Sequence, residues 1–441
     1  MKDGYVKISR DTPADLLFIC FFTYELYSKV VAKSFAVLGI GGGRTARLLL
    51  LLLLLACLCS SSSDRWRDSA ALYAAVAAVF ILSAVWNPGV LSWYADRNWG
   101  LAARVFRLDR GICAYLIVRL VKDGEHLRRD LKISAVLWTP YLLYLTAGRL
   151  LRGYWRLPSN DGVTMQMLAY NMNFGYQCVF AGLIFLLFAG PRFKKAEQAA
   201  GILLLLLAVI YGSRGVLILI LCYVGLCAFD ECRKGFTAHN CIKYTGLTAV
   251  LLFAAANYGS ILLFLQNLFE RAGISSRNLL QIASGSISDT NGRSTIWKIA
   301  VRMIRARFPF GYGAYGERPE VGKAYRWGYS HNIVLEMTVA FGIAGVILLL
   351  VLLWVSADIL LREKDLVLRD VFRLFFCCGM KLMISDSFWY NPHFWAALAV
   401  CFIIYKQRGR NGSEIMYQSR RLSENRNGAC DAVYGDGGGL L

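Results

Sequence analysis

The sequence predicts an all-α polytopic membrane protein, with 10–12 transmembrane helices and one large extracytoplasmic loop that contains an amphipathic helix. Three observations predict it. Hydrophobic residues make up 57% of the chain and charged residues only 18%, and mean hydropathy is +0.46, well above the soluble norm. Stretches such as 244–266 and 331–355 hold about 20 mostly apolar residues, enough to cross ~30 Å of hydrocarbon. Between them, residues 267–330 form the one long interval without such a run.

In chain order the expected spans are 14–40, 46–60, 70–86, 100–121, 132–148, 166–189, 198–212, 216–229, 244–266, 331–355, 371–388 and 393–405. The first carries Glu25, Lys29 and Lys33 at helical spacing, which suits a salt-bridged stripe turned into the bundle. The fourth carries Arg104, Arg107, Asp109, Arg110 and Arg119, and reads either as a span or as an amphipathic surface helix. No cleavable-signal pattern precedes the first span, so it is expected to stay in the membrane. The cysteines sit mostly inside apolar runs, without metal-ligand spacing, and read as small hydrophobes. No P-loop or dinucleotide glycine motif and no internal repeat occurs.

Cations in short loops set the orientation. Loops holding Arg65 and Arg67, Lys122 to Lys132, Arg192 to Lys195, Arg233 to Lys243 and Arg362 to Arg369 are the richer set and belong in the cytoplasm, with both termini. The chain thus divides into N-terminal transmembrane helices (1–266), a large extracytoplasmic loop (267–330), C-terminal transmembrane helices (331–405) and a polar, Gly-rich cytoplasmic tail (406–441) expected to be disordered.

The long loop is the anomaly, because it faces outward yet holds ten cations against four carboxylates. Long loops escape the positive-inside bias, so the topology stands. The excess positive charge either meets an anionic ligand or is a basic surface touching lipid headgroups. Within the loop, Ile296, Trp297, Ala300, Val301 and Ile304 recur on one helical face, with Lys298, Arg302 and Arg305 on the other. Asp289, Thr290 or Asn291 can cap this helix, and Phe308-Pro309-Phe310-Gly311-Tyr312-Gly313 stops it.

Four places could carry chemistry. His331 stands where the loop re-enters the membrane; it is either a proton-transfer group or an interfacial histidine bonded to a loop carbonyl. Glu336 lies about one turn deeper, where an acid needs a partner. Arg214, between glycines in Gly212-Ser213-Arg214-Gly215, suits bidentate phosphate binding or simply snorkels at a helix end. Arg293 opens the amphipathic helix, where free backbone N–H groups already favour anions. Weaker candidates are Lys381, Asp386 and Asn391 around Ser-Asp-Ser-Phe-Trp-Tyr-Asn-Pro.

Several of these runs, taken in order, resemble one family. Asn-Gly-Arg-Ser-Thr-Ile-Trp (291–297), Pro-Phe-Gly-Tyr-Gly (309–313), Ser-His-Asn-Ile-Val-Leu-Glu (330–336) and Phe-Gly-Ile-Ala-Gly (341–345) look like the O-antigen polymerase/ligase family of bacterial envelope glycosyltransferases. Gly-Ser-Arg-Gly and Tyr-Asn-Met-Asn-Phe-Gly-Tyr (170–176) are similar too. The resemblance implies a GT-C-like, metal-independent, inverting glycosyltransferase in the bacterial plasma membrane, with its active site outside and no cofactor. Its implied substrate is a polyprenyl-pyrophosphate-linked oligosaccharide reached through the membrane lipids. A flippase and chain-length regulator proteins are the implied partners, and nucleic acid is not. Carried over residue by residue, it implies His331 as the base on the acceptor hydroxyl and Arg214 and Arg293 as pyrophosphate binders. Glu336, Arg302 and Asp386 would have supporting roles. The sequence departs from the family pattern at Asp386, set between Ser385 and Ser387 where a small residue is expected.

The expected activity is polymerisation of lipid-linked repeat units into a capsular, O-antigen-like or exopolysaccharide. A ligase moving finished glycan to another acceptor shares the chemistry. A flippase for the same lipids, or a non-catalytic scaffold, would share the membrane pattern alone; one dominant loop and no inverted repeat count against the flippase.

Overall fold

The computed structural model describes residues 11–36, 42–60, 63–152, 154–158, 165–168, 171–213, 215–233, 271, 293–325 and 328–410. The architecture is all-α apart from a two-stranded antiparallel hairpin, Trp155–Pro158 with Met165–Leu168. Among the described residues, three helices are long and apolar enough to cross a membrane: Trp66–Trp86, Gly215–Arg233 and Ile343–Arg362. A fourth candidate is the pair Met172–Leu187 and Pro191–Tyr211, which bends by 107° at its break. The 20 residues of Ile343–Arg362 give about 30 Å of helix. On it Ile347, Leu350, Leu353 and Trp354 stand more than half exposed, an apolar surface that only lipid accommodates. This is the surface of a membrane protein.

Some of the other expected spans are shorter or more polar than the hydropathy pattern implies, whereas 46–60 and 393–405 lie within longer helices, Gly42–Ser60 and residues 392–410. The first expected span is two helices, Thr12–Phe22 and Tyr24–Ala36. Gly124–Arg152 is long, but it starts with a charged turn and carries Pro140. Span 244–266 and the cap at Asp289, Thr290 or Asn291 lie outside the described residues, as do the 411–441 stretch of the tail.

Two departures matter for the site. The expected span 331–355 is split into Ile333–Phe341 and Ile343–Arg362. The Phe308–Gly313 segment is wedged into the break. Tyr312 and Gly313 donate their N–H groups to the carbonyls of Val339 and Ala340 (2.8 and 2.7 Å), and Ile343 N–H donates to Pro309 O (2.8 Å). Carbonyls left over at a helix end are thereby satisfied. Gly342 makes the split possible: its φ is +58°, and a Cβ there would lie 1.8 Å from Pro309 O.

The expected span 100–121 is the second correction. It is a four-residue helix, Leu101–Arg104, then a charged turn, then Cys113–Leu120. Arg107 and Asp109 pair within the turn, and Gly111 N–H donates to Tyr390 O at 3.1 Å. Four charges in seven residues are too costly for lipid, and the fold places Arg104, Asp109 and Arg110 around a cavity instead, with Arg107 paired to Asp109.

The amphipathic loop helix is Arg293–Arg307. Ile296 and Ala300 are buried and Trp297 and Ile304 half-buried, whereas Lys298, Arg302 and Arg305 are exposed, the division that the sequence periodicity predicts; Met303, not placed on the apolar face, is buried as well. Val301, expected on the buried side, is exposed. The following segment is strapped to the end of the Ser63–Trp86 helix. Trp86 Nε1 donates to Gly311 O, Asn87 Nδ2 to Tyr312 O, Tyr94 Oη to Ala314 O, and Ala314 N–H to Ser83 Oγ.

Candidate active-site cavity

A cavity of about 570 Å³ lies where six segments meet, one of them contributing Tyr24. Arg293 and Ile296 come from the loop helix, and Tyr325, Tyr329 and His331 from the end of the loop. Lys381, Ser385, Asp386 and Tyr390 come from the turn after Leu366–Gly379. Trp99, Arg104, Asp109 and Arg110 come from the broken fourth span, and Asn173 and Tyr176 from the start of Met172–Leu187. Its described lining sets four cations against two carboxylates, so it attracts anions.

Short polar ties hold the segments in register. Asn332 caps its helix by accepting Leu335 N–H (3.1 Å) and donates Nδ2–H to Met383 O (2.9 Å). Trp297 Nε1 donates to Ser330 O at 3.1 Å, so the loop helix grips the residue before His331. Asn171 caps the Met172–Leu187 helix through Phe174 N–H.

His331 adopts φ = +54° and Asp386 φ = +69°, left-handed backbone that is uncommon for residues other than glycine. Such strain persists only where surroundings over-determine it, and it clusters at functional sites. The His331 ring packs on Tyr329 with centroids 4.2 Å apart. Its Nδ1 is buried and has no hydrogen-bond partner among the described residues. Burial, reinforced by the nearby Arg293 charge, pushes the imidazole down to about 4. His331 is therefore neutral at pH 7 and able to accept a proton.

The remaining sequence candidates distribute unevenly. Arg293 lines the cavity, as does Asp386. Asp386 pairs with Lys381 Nζ at 2.8 Å and accepts from Asn391 Nδ2 at 3.1 Å. That pairing gives a structural reason for a carboxylate where a small residue was expected. Glu336 is not in the lining: it accepts from Ser387 Oγ and from Phe388 N–H (3.4 Å), fixing the segment that carries Asp386. Arg302 is exposed on the far face of its helix and does not reach the cavity. Arg214 lies outside the described residues. Its neighbour Gly215 packs so tightly on Tyr176, a cavity residue, that a Cβ would come within 2.2 Å of the Tyr176 hydroxyl.

Sequence reasoning placed the anion-binding charge chiefly in the long loop and at Arg214, with Lys381 as a weaker candidate. Among the described residues only Arg293 of the loop's cations lines the cavity; Arg104, Arg110 and Lys381 supply the rest. Arg104 donates Nε–H to Asn98 O (2.7 Å) and stacks on Trp99 at 4.0 Å. The clue was available: a charge-dense stretch inside a supposed span is a functional signal in itself. The tyrosine wall of Tyr329 and Tyr390 had no local signature.

Residues 199–350 match the model of a family described as O-antigen ligase. No curated protein matches the chain. The matched stretch contains Arg293, His331 and Glu336 and the loop between its flanking helices; Arg104, Arg110, Lys381 and Asp386 fall outside it.

Proposed function

We propose, from the O-antigen ligase domain that this membrane enzyme carries at residues 199–350, that the cavity transfers glycan from a polyprenyl pyrophosphate to a sugar hydroxyl. One observation carries the reading. A neutral His331, its Nδ1 unsatisfied among the described residues, lines a cavity whose walls are predominantly cationic.

A sugar hydroxyl is a weak nucleophile, and a positioned base raises its reactivity. The hydroxyl oxygen attacks the anomeric carbon while His331 takes its proton. The bond from that carbon to the pyrophosphate oxygen breaks, and the pyrophosphate leaves with the electron pair. Charge building on the leaving group is met by the Arg293 guanidinium, with Arg104, Arg110 and Lys381 nearby and Arg214 as the further pyrophosphate binder. Arginine's planar fork suits this task, since it grips two oxygens at once. A single displacement inverts the anomeric centre, and the cations already present supply the charge stabilisation that a metal ion would otherwise provide.

In our reading the acceptor is the next lipid-linked repeat unit, which makes the protein a polymerase of an envelope polysaccharide acting outside the plasma membrane. The family description favours a second reading, a ligase with a different acceptor lipid or protein. Reconstitution with synthetic polyprenyl-pyrophosphate repeat units, in the presence of chelator, separates these. A ladder of repeat units on the lipid pyrophosphate supports the polymerase. Transfer only when a second acceptor is added supports the ligase. No glycosidic product under either condition overturns the transferase reading.

A further inference from the structure

Beside the main cavity is a smaller chamber of about 190 Å³, and the two share the wall formed by Tyr24, Asp109, Asn173, Tyr176, Lys381 and Pro392. Beyond that wall the small chamber is lined by Glu25, Trp138, Gln177, Phe180 and His393. Its polar groups are organised. Glu25 Oε1 accepts from Lys29 Nζ (3.0 Å) and from Tyr141 Oη (3.3 Å), while Oε2 accepts from Gln177 Nε2 (2.5 Å). This is the stripe whose charges the sequence turned into the bundle, and Lys29 and Tyr141 are bonded to each other as well.

Two polar atoms of the lining remain unsatisfied among the described residues. Gln177 Oε1 is buried without a partner, its amide N–H being committed to Glu25. His393 Nδ1 is likewise buried without a partner, enclosed by Phe22, Phe180 and Phe375 with ring centroids 5.2–6.4 Å away. The two atoms come from different helices, Met172–Leu187 and residues 392–410. Leaving such groups unmet is unfavourable. Water could meet them, but only by wetting the aromatic faces of Trp138 and Phe180. A pyranose ring fits both demands, with hydroxyls around its edge and C–H groups on its faces.

We propose that this chamber is the subsite for the sugar ring attached directly to the lipid pyrophosphate, and that Gln177 and His393 recognise its hydroxyls. The inference rests on the reading of the main cavity as a lipid-pyrophosphate site. The shared wall puts the ring next to the cations that hold its pyrophosphate. Glu25 makes the subsite suited to a neutral sugar, because the carboxylate of a uronic acid would face another carboxylate. Gln177 and His393 are specificity-determining residues here, and neither touches the reacting bond.

The test uses the full chain in detergent and two lipids: polyprenyl pyrophosphate alone, and polyprenyl pyrophosphate carrying one neutral hexose. The wild type binds the glycosylated lipid about tenfold or more tightly than the bare one, the scale of one or two new hydrogen bonds. Gln177→Leu and His393→Phe each remove most of that preference, while affinity for the bare lipid stays within about twofold, which also reports that the variants fold. Preference retained in both variants overturns the proposal, as does equal weakening for both lipids, which would make the chamber structural only. Equal wild-type affinity for the two lipids overturns the sugar subsite and leaves the pyrophosphate site standing. If the wild type binds neither lipid, the functional reading falls and the subsite falls with it.

Discussion

An ion pair and a sealed cation stand on either side of one tyrosine wall, and they do different things. In front, Lys381 and Asp386 meet at 2.8 Å with 15% and 21% of their side chains exposed, and both line the cavity. Behind, Glu317 and Arg318 are fully buried. The Arg318 guanidinium lies over the Tyr315 ring at 3.7 Å, with Tyr329 and Tyr390 at 5.4 and 5.9 Å. Rings that hold Arg318 on one side thus face the cavity and pack on His331 on the other. Burial pushes the Glu317 carboxyl up to about 7, against the opposing pull of Arg318. Position in the wall, more than residue type, separates the two cations. A cation beside a void can meet a ligand, whereas a cation sealed between aromatic rings can only brace what surrounds it.

The comparison can be broken from the front first. His331→Ala should lower turnover by about 10²–10⁴-fold while polyprenyl pyrophosphate still binds, because it removes a base and little packing. Near-normal turnover would end its role. Arg293→Lys should cost about 10–100-fold in kcat/KM, since an ammonium cannot reproduce a two-pronged grip; full activity in a radiolabelled transfer assay would show that Arg293 merely sits at the rim.

From behind, the readout is stability rather than chemistry. Arg318→Met should lower stability by about 2 kcal/mol or more, the scale of a desolvated cation–π contact, read as a lower melting temperature in detergent. Glu317 gives a pH signature. Its folded pKa is raised, so its contribution is complete below about 4.5 and is lost as pH rises through about 7. The melting temperature should therefore fall between pH 5 and 8 in the wild type and stay flatter in Glu317→Gln. The same slope in both proteins would remove Glu317 from the account.

Smaller effects sharpen the boundary. The acid limb of kcat/KM should lie near pH 4 instead of near 6.5, because His331 in the free enzyme protonates only at about 4. Bound pyrophosphate offsets Arg293, so the limb of kcat should lie higher than that of kcat/KM. Last, Arg302→Ala should change kcat/KM by no more than about twofold, as befits an exposed cation that does not line the cavity. A larger loss would mean that the loop surface reaches the substrate after all.

Much was legible in the sequence where the signal is local. The faces of Arg293–Arg307 follow from helical periodicity, and its stop follows from Pro309. His331 stood out because it lies where the basic loop meets an apolar run. Arg104 and Arg110 were visible as misplaced charge, but hydropathy averages over a window and absorbed them into a span. Glu336 was seen to need a partner; that the partner is Ser387, 51 residues on, no local rule could state.

The sequence by itself determined the solvent and the chemistry on offer. Its apolar runs require lipid, and its arginines, lysines and histidine near the outer loop favour an anionic ligand and proton transfer. Tertiary structure alone decided which of those groups share a cavity. It broke an expected helix at Gly342 to admit the 308–313 wedge, and it turned Arg104 and Arg110 inward beside Arg293 and Lys381. The reason is physical: hydrophobic burial and local propensity act along short stretches, whereas a site is assembled by pairing backbone and charge across hundreds of residues.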